Sequence, residues 1–422
     1  MKHILIALTV IITSFFFFPF EFSFLPGINT KMMMGVVGIV LFVFHTISNK
    51  KGIVVSQEIF VASIIACVFS LVGFYSVVYN NTADYSYATY IVSMLVWVGA
   101  AYTVCFFISQ LHGHISVKLV INYLIGVCVL QCIMALLIDN IPSLKLLVDT
   151  YIPKDAEMLH RINRLYGIGA TLDIAGTRFS AVLTMIAVLL CHDEEIRSSK
   201  NTIVMYVFLF ILIAVIGSMV ARTTNVGIIL GVLYIIYTSG VFRIRIQKSN
   251  LKIWGMLISV SLFLVIVCIY LYNHVPAAQK LLFFAFEGFI NWIETGEWST
   301  GSTDELQTMW IFPETTKTWI IGDGYLANPT GRGHYMGTDV GYLRFIFYCG
   351  VIGLVVFSIF FMYLTAACYK RFPQEKNLFL LLLILVFVVW VKVSTDIFLV
   401  YAIFMCIPMV QKHTNNQLMS RL

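Results

Sequence analysis

Three arginines carry the first chemical signal in this chain. Arg178, Arg222 and Arg344 each stand at the end of an apolar run, where a guanidinium is costly unless an anion answers it. Asp173 lies near Arg178 and Asp339 near Arg344, but the sequence around Arg222 offers no carboxylate. An anionic ligand is one answer, since the planar fork of arginine suits phosphate oxygens two at a time. Snorkelling to lipid headgroups is the other, as arginines near span ends commonly do.

A second group surrounds a glycine-rich segment, Gly322-Asp323-Gly324 followed by Gly333-His334-Tyr335-Met336-Gly337-Thr338-Asp339, which runs into a long apolar stretch. An imidazole such as His334 can take a proton from a hydroxyl nucleophile near neutral pH, or can simply be an exposed loop side chain. Asp339 has two compatible readings, an N-cap that satisfies free backbone amides or a carboxylate that positions a sugar hydroxyl. Gly322-Asp323-Gly324 lacks a preceding strand and the third glycine of a nucleotide fingerprint, so it reads as a tight turn. Four of the seven tryptophans, Trp292, Trp298, Trp310 and Trp319, share this part of the chain with Tyr325 and Tyr335. Trp298, Trp310 and Tyr335 are candidates for sugar contact, because flat aromatic faces suit the apolar faces of sugar rings; interfacial tryptophans are also ordinary membrane anchors.

The elements that must hold these groups are apolar. Of the 422 residues, 60% are hydrophobic and 11% charged. Runs near the ~20 residues of a bilayer-spanning helix recur from end to end, about twelve in all. The expected fold is all-α, a polytopic integral membrane protein forming a single transmembrane domain over residues 1–422. Stretches of about 139–173 and about 273–339 are left as long loops, the second opening with an amphipathic stretch, Leu281 to Trp292, expected to lie on the outer leaflet. The formal charge of +6 is scattered, which argues against a nucleic-acid partner. The nine cysteines fall inside or at the edges of apolar runs and imply neither a disulfide framework nor a zinc site. No metal-ligand cluster is evident. Met1-Lys2-His3 and the apolar run after it lack a small-residue cleavage site and read as a retained first helix.

Basic residues set the orientation. Lys50 and Lys51, Lys118, Arg197 and Lys200, Arg243 and Arg245, and Lys370, Arg371 and Lys376 fall on alternate connections, while residues 79–89 contain no Lys or Arg. This is the positive-inside pattern with both termini cytoplasmic and the two long loops external.

The arrangement resembles the bacterial O-antigen and capsular polysaccharide polymerases of the Wzy type, relatives of the O-antigen ligases. The sharpest local match is Gly322-Asp323-Gly324, then Thr338-Asp339-Val340-Gly341-Tyr342-Leu343-Arg344, then Gly350-Val351-Ile352-Gly353. Ala175-Gly176-Thr177-Arg178-Phe179 and Ala221-Arg222-Thr223 resemble the family's external arginine positions. The family's Arg-x10-Gly pattern is absent, since Arg178 leads to Leu189 and Arg332 to Leu343. Ligases commonly place a His-Asn pair where this chain has Thr338-Asp339, which favours polymerase over ligase.

The resemblance implies an enzyme of the bacterial inner membrane, working in its periplasmic leaflet. It would polymerise oligosaccharide repeat units carried on undecaprenyl pyrophosphate, with no cofactor. Arg178, Arg222 and Arg344 would stabilise the leaving pyrophosphate, and His334 or Asp339 would serve as base. A flippase and a chain-length regulator are the implied partners. The rival of another class is a flippase for the same lipid-linked oligosaccharide, against which stand mid-span regions almost free of charge and the absence of a sequence repeat.

Overall fold

The computed structural model describes residues 2–48, 56–152, 164–239, 248–330 and 333–419. Lys50, Lys51, Arg243, Arg245 and Arg332 lie outside the described residues. In chain order the helices are α1 (Lys2–Phe17), α2 (Thr30–Ser48), α3 (Gln57–Tyr79), α4 (Tyr90–His112), α5 (Val117–Asn140), α6 (Pro142–Tyr151), α7 (Leu172–His192), α8 (Glu194–Ser198) and α9 (Lys200–Val220). They continue with α10 (Thr224–Thr238), α11 (Lys248–His274), α12 (Pro276–Thr295), α13 (Gly301–Thr308), α14 (Thr316–Ile320), α15 (Gly341–Arg371), α16 (Lys376–Val389) and α17 (Phe398–Met419). Among the described residues the chain is all-helical, with two isolated bridges, Glu21 to Asn29 and Ala327 to His334.

Every apolar run read from the sequence falls on a helix, and eight helices are long and apolar enough to cross a membrane: α2, α3, α4, α5, α7, α9, α11 and α15. This is a multi-pass membrane protein. Four helices fall short of the expected spans. Helix α1 has 16 residues, α10 has 15 and α16 has 14, and the apolar part of α17 stops at Gln411. Local chemistry limits two of them. Pro19 disfavours helical geometry at Phe18, and α10 starts only after the turn at Ala221–Thr223. All nine cysteines are free and seven are buried, as small apolar residues would be.

The chain divides into two compact units, residues 1–30 with 118–300 and residues 31–117 with 301–422. In the first, α7 is the axis, with 94% of its apolar window buried, whereas the corresponding window of α11 has none. Small residues make this packing close. A Cβ on Gly227 of α10 would collide with Ser180 of α7, and one on Gly176 would meet the side chains of Ala221 and Thr223. Much of the irregular segment at residues 164–171 is also buried, and its backbone is satisfied as buried backbone must be. Leu165 N–H donates to Met219 O (3.2 Å), Gly167 N–H to Ala170 O (2.9 Å), and the Gln131 side-chain amide to Ile168 O (2.9 Å).

The second unit is held by an aromatic core. Phe357 of α15 stacks on Phe69 of α3 (4.4 Å between centroids) and on Trp390 after α16 (5.4 Å). Helix α15 is discontinuous. Cys349 (φ −135°) and Gly350 (φ 67°, ψ −177°) leave helical geometry, separating a short half, 341–348, from the remainder.

Candidate functional site

The arginine site of the first unit begins with the turn between α9 and α10. The Ser180 hydroxyl donates to Thr223 O (2.9 Å) and accepts from Gly227 N–H (3.0 Å), so α7 holds the end of the turn and the start of α10. Thr223 in turn donates its hydroxyl to the Asp173 carboxylate. Held in this way, Arg222 reaches α12, where its Nε donates to Phe284 O (3.0 Å) and its Nη2 pairs with Glu287. Helix α12 is irregular at Phe286 (φ −117°, ψ 17°), between the two residues that Arg222 holds. The carboxylate missing from the sequence around Arg222 is therefore supplied by an element far along the chain.

A further arginine joins the site, one not singled out from the sequence. The guanidinium carbon of Arg164 lies 4.6 Å from the centroid of the Phe284 ring, and that of Arg222 lies 4.2 Å from the same centroid. Arg164 stands on the buried irregular segment, whose fold carries it there. Beside this ring an open groove of about 490 Å³ is lined by Arg222, Tyr272, Gln279, Lys280, Phe284 and Glu287. Arg178, about two turns into α7, is buried with its guanidinium 5.7 Å from the ring of Phe18. It is held inside the first unit.

The site of the second unit is built on the break in α15. The interruption frees carbonyls that would otherwise accept within the helix. Phe347 O accepts from Asp323 N–H (2.6 Å), and Tyr348 O accepts from Gly324 N–H (3.1 Å) and from the Ser76 hydroxyl (2.7 Å). Gly322 and Gly324 have φ of 85° and 71°, so the turn expected at Gly322-Asp323-Gly324 is present, and it docks into the broken helix. A Cβ at Gly322 would strike the backbone of Tyr348 and Cys349, and one at Gly350 would strike Ile320 O. The Asp323 carboxylate accepts from Lys317 Nζ (2.6 Å), the Thr318 hydroxyl (2.8 Å) and the Tyr335 hydroxyl (3.3 Å). Lys317 also donates to Asn80 Oδ1 (2.6 Å), and Asn80 Nδ2 donates to Gly322 O (3.1 Å).

Beyond this turn, Asp339 corrects one expectation. Helix α15 starts at Gly341 with Val340 as its N-cap, so Asp339 stands one position before the cap. Asp339 Oδ1 instead receives Arg344 Nη1 (3.0 Å) and lies 3.2 Å from His334 Nε2. A local capping rule favoured the carboxylate, but Arg344, one turn on, and His334 from the loop compete for it and win. The His334 side chain remains 43% exposed, so its ring is open to a solute. Burial, then the Arg344 guanidinium, lowers the imidazole below its ordinary value, against the opposing pull of Asp339. A neutral imidazole beside a carboxylate and a guanidinium can accept a proton from a hydroxyl.

Comparison of the chain with family models, with curated proteins and with solved structures finds no match.

The candidate residues fall into separate groups. Arg178 and Arg222 belong to the first unit; His334, Tyr335, Asp339 and Arg344 cluster in the second. The three aromatic candidates are dispersed. Trp298 packs edge-on to Phe289 (4.8 Å) and over Gly288 in the first unit, with 54% of its surface exposed. Trp310 lies beside Phe312 (6.2 Å), and Tyr335 stacks on Tyr325 (5.3 Å), both in the second. The signal that would have found Arg164 was its company, Arg161-x-x-Arg164 in a loop otherwise marked only by its length.

Proposed function

We propose that the chain is a membrane glycosyltransferase of the O-antigen and capsule polymerase type. In this reading it joins oligosaccharide repeat units carried on undecaprenyl pyrophosphate at the outer face of the bacterial inner membrane. Both termini face the cytoplasm, and α1, α10, α17 and the 14-residue α16 complete about twelve spans with the eight long helices. A flippase supplies its substrate and a chain-length regulator acts beside it.

One observation supports the reading most: the open groove where Arg222 and Lys280 converge beside Phe284, at the ends of apolar helices. Transfer breaks the bond between sugar C1 and pyrophosphate, and negative charge builds on the departing diphosphate. Cations already fixed by the fold stabilise that charge more in the transition state than in the ground state. Arg222 carries this role in the groove, Arg178 supports it from α7, and Arg344 is the third candidate. His334, held by Asp339 in the second unit, is the candidate base for a sugar hydroxyl. Trp298, Trp310 and Tyr335 offer faces for sugar rings.

The test is a gel of surface polysaccharide from the source bacterium with the gene deleted and then complemented. Loss of the ladder with retention of single-unit glycolipid, unrepaired by Arg222→Ala or Arg178→Ala present in the membrane, supports a polymerase using those arginines. Loss of the single-unit product as well points to flipping or ligation instead.

A flippase is the second reading, and one observation favours it: the break at Cys349–Gly350 inside a long apolar helix, a device that transporters use to place backbone groups at mid-membrane. Here those freed carbonyls are taken up by Asp323, Gly324 and Ser76, which leaves them committed to the protein itself.

A further inference from the structure

Glu287 holds Arg222 in a groove that is open to solute and has two other cations close by, Lys280 in its wall and Arg164 on the same aromatic ring. The geometry points to Glu287 as an internal stand-in for a phosphate group, occupying on Arg222 the place that the diphosphate head of a polyprenyl carrier takes when it enters. This rests on the reading of Arg222 as a diphosphate ligand and adds how the empty site is kept and what must leave it.

Three features carry the inference. The carboxylate and the guanidinium are both largely buried, with side-chain exposures of 17% and 15%, so neither can remain uncompensated without a large desolvation cost. A ligand-free phosphate site of this kind needs a resident anion, and Glu287 supplies it. Second, other cations stand near the pair: Arg164 shares the Phe284 ring with Arg222, and Lys280 lines the same groove. Third, the carboxylate stands beside a break in its own helix. Phe286, the residue before Glu287, breaks the helical geometry of α12, and the Phe284 carbonyl in the same turn is held by Arg222 Nε–H. Releasing Glu287 therefore asks one irregular turn to move and leaves the α7 grip on Thr223 untouched.

The head group is a phosphate ester bearing at least two charges, free in solution or on a lipid. Tyr272 and Gln279 stand at the wall as hydrogen-bond partners for its remaining oxygens. Arg222→Ala and Lys280→Ala remove attraction for that head, while Glu287→Gln removes only its competitor.

The experiment measures binding of radiolabelled farnesyl diphosphate to the full-length protein in lipid nanodiscs, with inorganic pyrophosphate as competitor. Glu287→Gln is expected to bind about tenfold more tightly than wild type, a shift of about 1.4 kcal/mol. Lys280→Ala and Arg222→Ala are expected to bind at least tenfold more weakly. Glu287→Asp, which keeps the charge on a shorter arm, serves as the second variant and is expected to fall between wild type and Glu287→Gln. Competition by pyrophosphate at similar concentration identifies the head alone as the ligand, and its failure to compete identifies the lipid-borne form; both support the stand-in. If Glu287→Gln and Glu287→Asp bind no more tightly than wild type while the cation variants lose binding, the stand-in is overturned and the diphosphate site survives. If wild type binds neither probe, the reading of Arg222 falls with it.

Discussion

The backbone N–H of Asp323 donates to the carbonyl of Phe347 at 2.6 Å, in the place that the N–H of Val351 would fill if α15 ran unbroken. A loop thus completes a helix from outside. The polar groups around it, Lys317, Thr318, Asn80 and Tyr335, are arranged by the same docking, because each bonds to Asp323, to Gly322 or to Lys317.

This docking requires Gly350. Its φ of 67° excludes an ordinary side chain without strain, and a Cβ there would overlap the Ile320 carbonyl. Gly350→Ala is expected to destabilise the second unit by about 3 kcal/mol or more. Gly337→Ala is the control: it has the same φ of 67° but nothing within 4 Å, so backbone strain of about 1 kcal/mol is its whole cost. Thermal unfolding in detergent, followed by intrinsic fluorescence, should separate the two. Equal losses would refute the docking argument.

Replacing Arg222 should lower polymer formation by about a hundredfold or more, the scale of losing one fixed charge-stabilising group. Arg222→Lys should recover little, since a single ammonium cannot hold both the Phe284 carbonyl and the Glu287 carboxylate in the fork geometry. Ladder intensity normalised to protein in the membrane is the readout.

For His334 the prediction is in pH. Burial and Arg344 favour the neutral ring, so proton uptake is postponed to lower pH than in a free histidine, whose value is about 6.5. A rate that needs the neutral imidazole stays full above that value and falls only in more acid solution. Asp339→Asn removes the one influence that raises the imidazole, so the acid limb should move further down. His334→Asn should abolish the limb and lower the rate by roughly 10²–10⁴-fold. A pH profile of transfer in reconstituted membranes tests all three, and an unmoved limb in Asp339→Asn would refute the assignment.

Tyr335 offers a smaller contrast. Its hydroxyl reaches Asp323 at 3.3 Å, a long contact to a carboxylate that Lys317 and Thr318 already satisfy. Tyr335→Phe should therefore cost less than about 1 kcal/mol, while Tyr335→Ala, which also loses the stack on Tyr325 and the edge contact to Phe347, should cost about 3 kcal/mol.

What could be read from the sequence was what nearest neighbours decide. Apolar runs marked where helices such as α3 and α4 stand, and paired glycines gave the turn at Gly322–Gly324. What could not be read depends on partners distant in the chain. Nothing near Arg222 announces Glu287, and nothing inside an apolar run announces that Gly350 will adopt a positive φ. Asp339 failed in the opposite sense. It satisfied a local rule for a cap, and Arg344 and His334 claimed its carboxylate.

Helix α7 has almost no face left for lipid, and it carries Arg178 inside the bundle. An arginine at the centre of a lone helix adds about 3 kcal/mol to the cost of entering a bilayer, and Arg178, about two turns from the start of α7, brings part of that penalty. During synthesis α7 therefore gains a favourable environment only once α9 and α10 have emerged to wrap it, and its membrane insertion is tied to chain that the ribosome has yet to translate. A ribosome stalled after residue 200 should leave α7 poorly inserted, whereas α11, with no buried residue in its apolar window, should enter the bilayer without help from any later helix.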